Sequence, residues 1–96
     1  MSNEIEAAIK LLEEKISDEK LDGSIKFQIE SLGSIIIENG IVEKSDRDTD
    51  CTLLGDIETF KEILAGDLNS TTAFMSGRLK IEGSMAIAMQ YNRVFS

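Results

Sequence analysis

The hydrophobic pattern of the chain changes its period at Gly23, and this change sets the class of fold. Before Gly23, apolar residues recur every three or four positions, which predicts one amphipathic helix. After it, Ile25, Phe27 and Ile29 alternate with polar residues, which predicts a strand with one wet face. The chain is therefore expected to combine helices with a sheet.

Turn signals divide the rest of the chain into further strands. Asn39-Gly40 is the strongest hairpin signal, because both positions of the turn must tolerate a positive φ angle. Hairpins this early in the chain predict antiparallel pairing. Strands are expected at 24–30, at 34–38, from 41 onwards, at 51–54 and at 78–82.

Helix signals cluster in the second half of the chain. Asp56 is a plausible N-cap for one helix, and either Asn69 or Ser70 could cap a shorter one. Gly83-Ser84 opens the last helix. Helices in these positions are expected to cover one face of the sheet and to leave the other largely wet. The predicted fold class is α+β, with a five-stranded, mainly antiparallel sheet and helices on one face.

The composition favours one folded domain and argues against two classes of partner. A chain of 96 residues is expected to form a single domain over residues 1–96. Its formal net charge is -8, so the basic footprint that nucleic acids require is missing. The same charge repels anionic membrane surfaces, and we expect at most transient membrane contact.

The residue types argue against catalysis and metal binding. The chain has no histidine, which removes the commonest general base and the commonest zinc ligand. Its one cysteine, Cys51, cannot form an internal disulfide or a thiolate metal site, and we expect a buried, inert thiol. These observations predict no enzyme activity, no metal and no cofactor. They also suit a cytoplasmic location, and the first ten residues do not resemble a signal peptide.

An acidic loop invites comparison with a calcium site. Asp46, Asp48 and Asp50 alternate as they do at the start of a calcium-binding loop. The sixth position of such a loop needs glycine and the twelfth needs glutamate, but this chain has Cys51 and Ile57 there. A solvated acidic loop is therefore the expected structure.

Three of the four methionines, Met75, Met85 and Met89, lie in the last quarter of the chain. Methionine is flexible and polarizable, so it suits surfaces that accept varied apolar partners. Met85 and Met89 fall one turn apart on the same face of the last helix. Ordinary core filling would produce the same spacing, so both interpretations stay open here.

The run from Phe74 to Met85, Phe-Met-Ser-Gly-Arg-Leu-Lys-Ile-Glu-Gly-Ser-Met, resembles the segment that joins the last strand to the last helix in the sterol carrier protein family. Arg78 stands where lysine is commoner, Ser84 replaces asparagine or aspartate, and the segment after Met89 is short. The resemblance covers nearly the whole chain. Further matching pieces are Gly23 to Ile29, Asn39-Gly40, Asp50 to Leu53, Asp56, Phe60, Ile63, Gly66 and Leu68.

The resemblance implies an apolar cavity between the sheet and the helices, with no catalytic residues. Members of the family carry sterols, fatty acids or fatty acyl-CoA, so the implied function is non-catalytic binding and intracellular transfer of an apolar lipid ligand. The side chains expected to line the cavity are Phe27, Ile29, Phe60, Leu64, Phe74, Met75, Leu79, Ile81, Met85 and Met89.

An alternative function belongs to a different class. The same fold could serve as an accessory protein-interaction or dimerisation module whose core is filled by its own side chains. The space beneath the segment 74–89 distinguishes the two, because a carrier needs open apolar volume there and a module does not.

Overall fold

The computed structural model describes residues 3–16 and 21–95. The expected fold class is confirmed, since the described residues form a five-stranded, mainly antiparallel sheet and four helices. In chain order the elements are α1 (Asn3–Ile16), β1 (Ser24–Ile29), β2 (Gly33–Glu38), β3 (Ile41–Lys44), β4 (Cys51–Gly55), α2 (Ile57–Leu64), α3 (Ser70–Met75), β5 (Lys80–Gly83) and α4 (Met85–Phe95).

The strands lie in the order β3-β2-β1-β4-β5. Three neighbouring pairs are antiparallel, and the central pair, β1 with β4, is parallel. The two early hairpins account for β1 to β3, because a tight turn can only join antiparallel strands. The parallel pair requires residues 45–50 to cross from the edge strand β3 over β2 and β1 to β4.

One face of the sheet and the helices above it form the core. Phe27 of β1 lies between Ile35 of β2 and Leu53 of β4, and its ring centroid is 5.6 Å from that of Phe60 on α2. These four side chains are at most 5% exposed, so the protein's own atoms occupy this part of the space between the layers. Other buried members of the core are Ile25, Ile29, Ile37, Val42, Cys51, Ile63, Leu64, Ala73, Leu79, Ala88 and Tyr91.

The first helix covers the β3 side of the same layer. Its apolar stripe, Ile5, Ala8, Leu12 and Ile16, is buried and packs against β3, β2, α2 and α4. Helical spacing predicts a stripe of these four residues and Ile9, and the stripe is confirmed, although Ile9 is only partly buried against the core. The opposite side of the helix carries exposed charged residues, as an amphipathic surface helix requires.

The second face of the sheet is less wet than the sequence suggests. Ile36 of β2 is fully buried, although alternation along the strand directs it away from the core. The crossover 45–50 lies on this side, where Asp46 Oδ1 is 2.9 Å from Nζ of Lys26 on β1. The expectation of a largely wet face is therefore corrected at Ile36, which lies beneath the crossover.

Asp50, at the end of the crossover, joins three parts of the fold. Its carboxylate oxygen Oδ2 accepts from the backbone N–H of Ser24 at 3.0 Å, and its own N–H donates to Ser24 Oγ at 3.0 Å. Its backbone oxygen accepts from the N–H of Ser84 at 2.8 Å. Asp50 thus fixes the start of β1 against the turn that begins α4. One residue of the acidic loop therefore has a structural role.

The last strand begins two residues later than the sequence pattern suggests. The backbone N–H groups of Arg78 and Leu79 both donate to the carbonyl oxygen of Ala73, at 2.9 Å and 3.1 Å. These bonds hold both residues in the C-terminal turn of α3, so pairing with β4 starts at Lys80. Leu79 is nevertheless buried, as expected.

Two glycines with similar φ angles provide a test of this junction. Gly83 has φ +90°, and a Cβ there would overlap the carbonyl oxygen of Asp50, whereas Gly77 has φ +84° and open space around it. We expect Gly77→Ala to cost about 1–2 kcal/mol, the strain of a positive φ alone. Gly83→Ala should lower the free energy of unfolding by clearly more than Gly77→Ala does, because its Cβ would also overlap the backbone of Asp50. Urea unfolding of both variants measures the difference, and equal losses would contradict the proposed close approach.

Candidate functional site

Two short helices on the β5 side of the sheet are positioned by their own caps. Asn69 Oδ1 accepts from the backbone N–H of Thr71 at 2.8 Å and so begins α3, which decides between the two expected cap residues. Ser84 Oγ accepts from the N–H of Ile87 at 3.3 Å at the start of α4. These caps satisfy N–H groups that the first helical turn leaves unpaired.

A groove of about 280 Å³ lies between α3, α4 and the sheet. Leu53 and Ile81, paired across β4 and β5, contribute from the sheet. Its remaining lining residues come from the two helices, and these are Ser70, Thr71, Phe74, Met75, Met85, Ala88, Met89, Tyr91 and Asn92. The groove is open to the surface rather than sealed, because several of its apolar side chains are exposed.

The exposure of the apolar side chains is the feature that sets this groove apart. Phe74 and Met75 of α3 are 42% and 80% exposed, and Met85 and Met89 of α4 are 48% and 53% exposed. Single exposed apolar residues are common on proteins, but four around one groove form a contiguous apolar surface. Such a surface is typical of a binding site for an apolar partner.

The groove also has a small polar part. Ser70 Oγ donates to Asn92 Oδ1, and Asn92 Nδ2 donates to Thr71 Oγ1 at 3.4 Å. These bonds tie the start of α3 to the end of α4. The arrangement places two hydroxyls and one amide in a lining whose other side chains are apolar, apart from the phenol of Tyr91.

A second apolar groove, of about 480 Å³, lies between α1 and α2. Leu11, Phe60 and Leu64 are among its lining residues, and Leu11 is 43% exposed. Lys61 and Glu4 also line it, with Nζ and Oε1 3.7 Å apart. This groove therefore has charged side chains in its lining, whereas the described lining of the groove of α3 and α4 has none.

A third, polar groove of about 600 Å³ lies at the end of the sheet where β1 and β4 finish. Arg78 lines it, and its Nη2 lies 2.6 Å from Oε2 of Glu62 on α2, an ion pair that lowers the pKa of the Glu62 carboxyl. Asp56 caps α2 by accepting from the N–H of Thr59 at 2.8 Å, and hydrogen bonding from Thr59 lowers its pKa. These charged groups serve the fold locally.

The structure separates the predicted site residues into groups. Phe74, Met75, Ile81, Met85 and Met89 surround the groove of α3 and α4. The others lie elsewhere: Phe60 and Leu64 line the groove of α1 and α2, Phe27 and Leu79 lie in the packed core, and Ile29 is buried in the core and borders the polar groove.

Sequence reasoning missed several lining residues of this groove. Ala88 and Asn92 follow Met85 at three and seven positions, so helical spacing already places them on the methionine face. Thr71 and Leu53 carry no such signal, because their position depends on how α3 and β4 pack.

Comparison with known proteins adds an independent observation. The sequence model of the SCP-2 sterol transfer family matches residues 3–96. The chain belongs to this family. Sterol carrier protein 2 of Bos taurus is 30% identical over 97 residues, which cover 84% of this chain and 18% of the relative. The chain thus spans about a fifth of the length of the curated SCP-2 relatives it matches.

Solved structures of the SCP-2 type share the fold. The palmitate complex of sterol carrier protein 2 from Aedes aegypti has a TM-score of 0.82 at 14% identity, covering 100% of this chain and 97% of that one. Sterol carrier protein domain 2 of Helicoverpa armigera has a TM-score of 0.81 at 24% identity, covering 98% and 87%. At these identities the likeness establishes the fold alone. None of the helices in the described part of the chain is long and apolar enough to span a membrane.

Two buried titratable groups lie beside the groove of this SCP-2 domain. Burial, with a smaller contribution from the charge of Asp50, raises the pKa of the Cys51 thiol from its ordinary value of 9.0 to about 11. Burial, together with Cys51, raises the pKa of Tyr91 from 10.0 to about 12. Both side chains are therefore neutral at physiological pH, and the Cys51 thiol is a poor nucleophile.

These shifts predict how stability depends on alkaline pH. Because the folded state favours the neutral thiol, the contribution of Cys51 is complete below about pH 9 and is lost as the pH rises towards about 11. We expect the free energy of unfolding to fall over this range. Cys51→Ala should flatten the fall in the free energy of unfolding at pH values below 10. Above pH 10, Tyr91 begins to contribute as well. Urea unfolding from pH 8 to 11 measures both slopes, and identical slopes would contradict the assignment.

Proposed function

We propose that this protein binds an apolar lipid ligand in the groove between α3 and α4 and transfers it without chemical change. The observation that carries the proposal is the contiguous apolar surface of Phe74, Met75, Met85 and Met89, exposed around an open groove. Membership of the SCP-2 sterol transfer family supports it. The palmitate bound by the Aedes aegypti relative shows that a protein of this fold accepts a long acyl chain.

The energetics of the groove favour a hydrocarbon ligand. Each methylene group removed from water contributes about 0.8 kcal/mol, and the four exposed side chains lose solvent contact at the same time. Affinity can therefore arise from apolar area, with few directed polar contacts. Met75, Met85 and Met89 have flexible side chains, so the walls can adapt to ligands of different shape. We expect broad selectivity for the apolar part of the ligand.

The proposal contains no catalytic step. The polar side chains that line the groove are two hydroxyls, one amide and a Tyr91 phenol whose pKa is raised to about 12. These groups can orient a ligand by hydrogen bonding, but they supply neither a general base nor an activated nucleophile near neutral pH. A sterol, a fatty acid or a fatty acyl-CoA are ligand classes consistent with the family.

A cytoplasmic site of action accompanies the proposal. It is supported by Cys51, a fully buried free thiol on the core face of β4. Release of a lipid to a membrane would need only brief contact, which suits a chain with a net charge of -8.

Two measurements test the function directly. Native mass spectrometry of the gently purified protein should show a lipid adduct. Titration with a fluorescent long-chain lipid should give a saturable signal at one ligand per protein, and the protein should speed transfer of that probe between uncharged vesicles. Absence of saturable binding for both neutral and anionic probes would overturn the proposal.

A matched pair of variants locates the binding site. Met85 lines the groove, whereas Ala86, the next residue of α4, is exposed and outside it. Glutamate in the first turn of a helix is favourable, so both Met85→Glu and Ala86→Glu should fold. Met85→Glu should weaken lipid binding at least tenfold because it introduces a charge beside the ligand. Ala86→Glu should bind like the unmodified protein, and equal effects would place the ligand elsewhere.

The accessory interaction module is the second candidate. Its support is the packed space between the layers, where Phe27, Phe60 and Tyr91 are at most 2% exposed. In that case the exposed apolar surface contacts a protein partner or a second copy of the chain. Sedimentation velocity over a range of protein concentrations distinguishes the module from the lipid carrier. If the protein self-associates, loses this association in Met85→Glu and binds no lipid, the module is favoured.

A further inference from the structure

The groove of α3 and α4 differs in chemistry along its lining. Phe74, Met75, Met85 and Met89 make one part apolar, while Ser70, Thr71 and Asn92 make another part polar. Among the described residues, none of the eleven that line the groove carries an ionised side chain near neutral pH. A ligand that fills the groove would thus meet hydrocarbon at one part and neutral hydrogen-bonding groups at the other.

The hydrogen bonds at the polar part define what it can recognise. Ser70 Oγ donates to Asn92 Oδ1, and the amide of Asn92 donates to Thr71 Oγ1. Each hydroxyl oxygen has two lone pairs and one proton, so Ser70 can still accept a hydrogen bond and Thr71 can still donate one. This combination of a donor and an acceptor matches a neutral hydroxyl, which is itself both.

Within residues 3–16 and 21–95, no cationic side chain lines the groove to balance an anionic head group. Arg93 follows Asn92 in α4, but successive helical side chains diverge by about 100°, and Arg93 is exposed and outside the lining. A carboxylate brought into a partly desolvated site without a cation loses more hydration free energy than hydroxyl donors return. The net charge of -8 adds a general repulsion of anions.

From this lining, and resting on the proposed lipid-binding function, we infer that the groove selects apolar ligands whose head is an uncharged hydrogen-bonding group, such as a hydroxyl, over ligands that end in an ionised carboxylate. Ser70, Thr71 and Asn92 are the specificity-determining residues. The apolar part of the groove binds the hydrocarbon of the ligand, and the polar part forms hydrogen bonds with its head group.

A chain-matched pair of ligands tests this selectivity. 1-Dodecanol and dodecanoate have the same number of carbons, and dodecanoate is fully ionised at about pH 8. Competition of each against a bound fluorescent lipid gives the two dissociation constants. We expect dodecanol to bind at least tenfold more tightly than dodecanoate. The alcohol is also intrinsically more hydrophobic, so the decisive quantity is how variants change the ratio of the two constants.

Cations placed at the polar part should change that ratio. Asn92→Lys should favour dodecanoate by at least tenfold relative to the unmodified protein, because the new ammonium pairs with the carboxylate. Thr71→Lys provides a second variant at the same place, in case loss of the Asn92 hydrogen bonds impairs folding. Ala86→Lys adds the same charge to α4 outside the groove and should leave the ratio unchanged. Circular dichroism confirms that each variant is folded.

The outcomes distinguish this inference from the function on which it rests. If neither ligand binds the unmodified protein, the lipid-binding proposal itself fails. If dodecanoate binds as tightly as dodecanol, lipid binding stands and the head-group selectivity is wrong. A preference for dodecanol that neither Asn92→Lys nor Thr71→Lys alters, or that Ala86→Lys alters equally, also overturns the assignment to this polar part.

Discussion

The hydrogen bonds of Asp50 are the constraint on which the rest of the fold depends. Its carboxylate and its N–H hold Ser24 at the start of β1, and its carbonyl holds Ser84 at the start of α4. The crossover 45–50 can therefore deliver β4 parallel to β1, and the last helix enters at a fixed point. Gly83 is required there because the backbone of Asp50 leaves no space for a Cβ. The groove exists because this junction places α4 opposite α3.

Packing then decides where apolar volume is left open. Phe27 and Phe60 meet in the middle of the layer, and Tyr91 closes it from α4, so this region is occupied by protein atoms. α3 has only six residues and lies over the β5 edge, where it leaves methionine and phenylalanine side chains without partners. The groove of α3 and α4 is thus an edge of the core that the short helix does not cover, and Leu53 and Ile81 connect it to the core.

Much of the fold could be predicted, because its signals are local. The helical stripe of α1, the alternation in β1 and the hairpin at Asn39-Gly40 each depend on residues within a few positions of one another. The two helix caps, Asp56 and Asn69, could be proposed for the same reason. The burial of Ile36 could not be predicted, since it depends on a polar crossover distant in sequence that lies over it. The late start of β5 depends likewise on bonds to Ala73 in the preceding helix.

For the candidate site, the sequence by itself determined which side chains are available: methionines at helical spacing, no histidine and a single cysteine. It also determined the family, through an ordered set of short motifs. Only the tertiary structure decided that Phe27 and Leu79 fill the core while Met75 and Met89 remain exposed. Periodicity identifies an apolar face, but it carries no information on what lies across from that face. Whether another element packs against that face depends on the distance between elements, here on the distance between α3 and α4 above the sheet.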